Sequence, residues 1–104
     1  MPPLLIFTGQ SGKDYPFMVL PLDGKLPHSA GVYVLTHTTS DQEGQILHHP
    51  LRVGSSADLS QLLAEPGIQE LRNEKANRVC IRIEEITEQQ SQIEQDLKAK
   101  YGPQ

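Results

Sequence analysis

The chain contains no tryptophan, a single cysteine (Cys80) and only 5% aromatic residues. One cysteine excludes an internal disulfide and any zinc site built from several thiolates. Cys80 stands in an apolar run, where an inert buried thiol is expected. Positive charge is scarce as well: nine Lys and Arg face thirteen Asp and Glu, for a formal charge of −4. Strong non-specific binding to nucleic acid needs a basic field, so any affinity for DNA is expected to be weak and salt-dependent. Nothing approaches the roughly 20 consecutive apolar residues of a membrane helix. The opening apolar stretch, Leu4 to Phe7, is short and has no basic residue before it, so no targeting segment is expected. The expected location is the cytoplasm, away from membranes.

Within 104 residues there is room for one domain with one modest core. The apolar residues come in strand-like runs. Leu4–Thr8 and Tyr15–Leu22 flank the turn residues Gly9 to Asp14 and read as a hairpin. Pro16 and Pro21 lack an amide donor, which predicts an edge position or an early end for the second strand. Residues 31–37 and 46–53 form a second hairpin around a polar loop, the latter strand interrupted by Pro50 and stopping at Gly54. Ser55 to Asp58 supply caps for a helix over 57–65 that Pro66-Gly67 ends, and 68–76 is a short second helix or turn. Residues 78–86 alternate, with Val79, Ile81 and Ile83 on one face and Arg78, Cys80 and Arg82 on the other. Thr87 and Gln90 have capping-box spacing, and Ile86, Ile93, Leu97 and Tyr101 mark the stripe of a last helix that Gly102-Pro103 ends. The fold class is therefore α+β, a small and largely antiparallel sheet flanked by helices, with an added N-terminal β-hairpin over residues 1–27.

Gly31-Val32-Tyr33, then Leu51-Arg52-Val53-Gly54, then the segment Ser55 to Leu63, resemble the core of the GIY-YIG nuclease superfamily. Ala76 to Ile81 and Ile93 to Leu97 resemble the third strand and last helix of that core, so the likeness spans about residues 31–103. The N-terminal hairpin resembles an extension of small bacterial members. The resemblance implies metal-assisted phosphodiester hydrolysis, in which a tyrosine helps to activate water, an arginine neutralises phosphate charge and a glutamate holds one divalent cation. By position Tyr33 takes the place of the tyrosine and Glu94 that of the glutamate, a weak Mg²⁺ or Mn²⁺ ligand. Arg52 replaces the second-motif tyrosine and, with Ser55, is the candidate phosphate binder.

Leu62 occupies the arginine position. Leucine donates no hydrogen bond, and loss of one preorganised electrostatic group costs about 10²–10³ in rate. A leucine facing the cleft would also dry it. The expected function is a catalytically degenerate binding or interaction module for a protein partner or, weakly, nucleic acid, and no cofactor is then required. The alternative is a divalent-metal endonuclease in which Arg52 or Arg72 has taken over the phosphate. Against these stand plainer readings. Tyr33 packs on a sheet face, Glu94 is solvated, and Arg52 pairs with a surface carboxylate. Lys75, Arg78 and Arg82, mixed with Glu74, Glu84 and Glu85, read as a solvated face. A hairpin pairing His37 with His48, beside His49, would still lack the third ligand of a zinc site.

Overall fold

A computed structural model describes residues 4–22, 25–74 and 76–101, the side chains of 71–74 excepted. The strands are β1 (Leu4–Thr8), β2 (Asp14–Pro21), β3 (Gly31–Ser40), β4 (Ile46–Ser56) and β5 (Arg78–Ile83). They form one sheet in the order β1-β2-β5-β3-β4, and each neighbouring pair is antiparallel. A 3₁₀ turn (Leu59–Ala64), helix α1 (Pro66–Glu74) and helix α2 (Thr87–Tyr101) complete the fold. The α+β class and the antiparallel sheet are as expected.

Both faces of the sheet are covered. Val32, Val34, Val53 and Cys80 join Phe7 and Phe17 beneath Ile93 and Leu97 of α2. Tyr33, Leu35, Val79 and Ile81 point the other way, beneath Leu59, Leu62 and Ile68. Period-two alternation therefore sends successive residues of β3 and β5 into opposite cores. Burial pushes the Cys80 thiol up to about 12, which keeps it protonated and inert.

Several expectations need correction. β2 is not an edge strand; it lies between β1 and β5. Its prolines are accommodated because the ladder to β5 covers only Met18–Pro21, which leaves Pro16 beyond it and Pro21 at its end. β4 does not stop at Gly54 but runs on to Ser56, and β5 ends at Ile83 rather than 86. The helix expected over 57–65 is the shorter 3₁₀ turn, capped by Asp58, whose carboxylate accepts from the Ser60 amide at 3.0 Å. Residues three apart eclipse in a 3₁₀ helix, and that is the spacing of the two fully buried leucines, Leu59 and Leu62. Pro66 starts α1 rather than ending a helix, a first-turn position where its missing amide costs nothing.

In α2, Ile86 lies outside the helix and is 54% exposed. The buried Gln90 takes its place in the stripe. Its side-chain amide donates to the Glu84 carbonyl at 2.7 Å and its backbone N–H to the Ile86 carbonyl at 3.0 Å, so that N–H is satisfied within the helix rather than by Thr87. The expected end at Gly102-Pro103, the loop residues Asp23 and Gly24, and Lys75 lie outside the described residues, as do the side chains of Arg72 and Glu74.

The β1–β2 turn is tied to α2 by Asp96. Its carboxylate accepts from the Ser11 amide (2.8 Å), the Ser11 hydroxyl (2.6 Å) and the Tyr15 hydroxyl (2.7 Å), while its carbonyl accepts from the Gln10 amide (3.1 Å). A side chain at Gly9 would collide with that carboxylate. The Ser11 hydroxyl first, then Tyr15 and the Ser11 amide, hold the Asp96 carboxyl below its ordinary range. A depressed pKa in the folded state means that this tie is complete above the ordinary value, about 4, and is lost as pH falls through the lowered one. Amide protection factors in β1 and in the first half of β2, taken relative to the intrinsic exchange rate at each pH, are therefore expected to fall with acidification before those of β3. Asp96→Ala should bring the same loosening at neutral pH. Equal exchange in wild type and variant would show that the tie is immaterial.

Candidate functional site

The site lies where β4, an edge strand, separates the two faces of the sheet. Tyr33 is paired with Gly54, Leu35 with Arg52 and Val32 with Ser55. Arg52 and Gly54 thus share the face of Tyr33, while Val53 and Ser55 share the face that α2 covers. Gly54 has no side chain, and the Tyr33 ring crosses the strand there: a Cβ on Gly54 would lie 2.5 Å from the Tyr33 hydroxyl. Glu94 and Lys98 approach from α2 on the other side. Together with Val53 these residues line an open cleft of about 320 Å³ whose surface is almost wholly polar.

A bulge sets this arrangement. Leu35 pairs with Arg52 but Thr36 pairs with Pro50, so Leu51 has no partner. The extra residue sits beside a proline that cannot donate to the ladder, and it fixes which face Arg52 takes. It also fixes the histidines. His37 pairs with His49, with rings stacked 6.3 Å apart, and not with His48. His48 Nδ1 lies 3.1 Å from the Thr38 hydroxyl instead. No group of three or more His, Cys, Asp or Glu placed to hold a metal occurs among the described residues.

Of the residues that the sequence singled out, four converge: Tyr33, Arg52, Ser55 and Glu94. Leu62 does not join them. It is fully buried with Leu59 and Ile68 and lines no part of the cleft, so it does not dry the site. Arg52 is exposed and makes no ion pair among the described residues. It also lines a neighbouring hollow of about 220 Å³ with Tyr33, Glu65 and the start of α1. Its guanidinium lies so close to Gly67 that a Cβ there would be 3.2 Å from Nη1. Arg78 is exposed and donates to the Asn77 carbonyl at 2.7 Å, whereas Arg82 is half-buried and reaches the Pro16 carbonyl at 3.3 Å. They form no common basic patch with the cleft.

The electrostatics decide what the cleft can do. Burial pushes the Tyr33 hydroxyl up, with Arg52 opposing and Glu65 and Glu94 adding to the rise. Tyr33 therefore stays protonated at neutral pH and acts as a hydrogen-bond donor, not as a base. Burial also works against the charge of Glu94, but hydrogen bonds from Lys98 and then Ser55 outweigh it and hold the carboxyl below its ordinary value. Lys98 Nζ lies 2.6 Å from Glu94 Oε2. Lys98 was missed in the sequence, although its position four residues after Glu94 is the standard spacing of a helical ion pair. The carboxylate that the resemblance reserves for a metal is thus already engaged by an ammonium. A divalent cation does not fit this donor set as it stands.

Compared with models of known protein families, with curated proteins and with solved structures, the chain matches none. No helix among the described residues is long and apolar enough to cross a membrane.

Proposed function

We propose that this chain is a non-catalytic, GIY-YIG-like binding module whose cleft at the β4 edge receives a negatively charged group of its partner. The observation that carries the reading is the engagement of Glu94 by Lys98 within a cleft that also presents Arg52. Two cations there face one carboxylate, which favours an anion. Hydrolysis would need an activated water, and neither a protonated Tyr33 nor an occupied Glu94 supplies one. A protein carrying an acidic or phosphorylated segment is the preferred partner, since the chain's own charge of −4 opposes a long polyanion.

A second reading, a divalent-metal endonuclease, is favoured by one observation: the guanidinium of Arg52 stands beside Tyr33 in the cleft that Glu94 lines. Incubation with branched, single-stranded and duplex DNA in Mg²⁺ or Mn²⁺ separates the two, with Glu94→Ala as the control. The proposal expects no cleavage by either protein. Cleavage that Glu94→Ala removes would establish the second reading.

A further inference from the structure

We infer that the β4-edge cleft binds a phosphate group without a divalent cation, Lys98 serving as its resident cation; this rests on the binding reading above and names its ligand. The Lys98 ammonium is 2.6 Å from Glu94 Oε2, with the two side chains 43% and 21% exposed, so the pair sits at the cleft wall rather than free in solvent. The Ser55 side chain adds to the lowering of the same carboxyl. Mg²⁺ demands near-octahedral oxygen ligation and keeps several waters. To bind at Glu94 it would have to expel an ammonium already hydrogen-bonded there, and no second carboxylate of the described residues lines the cleft in compensation. Glu65 lies beyond Arg52 in the adjoining hollow.

The remaining groups suit a tetrahedral anion. An ammonium carries three donors and spends one on Glu94, while a guanidinium presents a planar fork of donors. Lys98 and Arg52 approach from opposite faces of β4, and Tyr33 and Ser55 line the same cleft. With the Ser55 hydroxyl turned to Glu94, three donor groups of differing direction remain, Lys98, Arg52 and Tyr33, and these match the oxygens of a phosphate better than those of a planar carboxylate. The cleft has almost no apolar wall, so it selects the phosphate and not the group esterified to it.

The test is a titration of the intact chain with inorganic phosphate, followed by the amide shifts of Gly54, Ser55 and Lys98, once in EDTA and once in Mg²⁺. Equal affinity under both conditions is expected. Lys98→Met should weaken it by about tenfold or more, as the loss of a charge-assisted contact does, and Lys98→Arg should restore it. Binding that appears only with Mg²⁺, or that Lys98→Met leaves unchanged in EDTA, overturns the inference while leaving the binding reading intact. No response to phosphate with or without Mg²⁺ overturns both.

Discussion

Leu62→Arg is expected to leave no cooperatively folded protein, rather than to restore a catalytic arginine. Leu62 is fully buried on the 3₁₀ turn, packed in a cluster that includes Leu59, Ile68, Leu35 and Ile81. Leu62→Ala alone should cost about 2–5 kcal/mol, the range for removing a buried leucine and leaving a cavity. A guanidinium at that point would be a buried charge without a partner, which costs more than the cavity does. A domain of this size has only about 5–15 kcal/mol in total, and a small one sits toward the low end. Thermal unfolding followed by circular dichroism should show a lowered midpoint for Leu62→Ala and no transition for Leu62→Arg. A folded Leu62→Arg protein would mean that the side chain reaches solvent or the cleft, contrary to its packing here.

Gly54→Ala should have the second largest effect, and it acts on the site. The new Cβ would lie 2.5 Å from the hydroxyl and 2.6 Å from Cζ of Tyr33. A rigid, buried ring cannot bend away, so Tyr33 must leave the edge of the strand or β4 must move. Overpacking of this kind costs about 1–3 kcal/mol. The fold should survive while Tyr33 loses its place beside Arg52, so anion binding should fall much further than stability. Unchanged binding in a Gly54→Ala protein would exclude Tyr33 from the site.

These two residues also mark how much could be read in advance. The strand pattern over residues 31–37 and 46–53 was legible because β-branched residues alternate around a polar loop. Gly54 could be seen only as a strand end, although its role is to let Tyr33 cross the strand. Leu62 was legible as an apolar residue of a helix, but its direction depended on the 3₁₀ winding that eclipses it with Leu59. The interior position of β2 was hidden, because its pairing with β5 joins Met18 to Ile81 across most of the chain. The bulge at Leu51 was hidden for a related reason: Pro50 signals an interruption, yet only the partner strand shows which residue is extra. As for the site, Tyr33, Arg52, Ser55 and Glu94 were named from motif order. Lys98 was not, because a lysine four residues after a glutamate is an ordinary helical ion-pair spacing that by itself marks no site.

On the reading proposed above, this cleft binds and does not cut. The most direct test is a single-turnover measurement, with the chain in large excess over end-labelled branched DNA, in Mn²⁺ and at low salt to favour encounter. Intact substrate is expected after hours with the wild-type protein. Product formed by the wild type and lost in both Tyr33→Phe and Glu94→Ala would contradict it, because it would show that Lys98 yields Glu94 to a metal and that the cleft is a working active site.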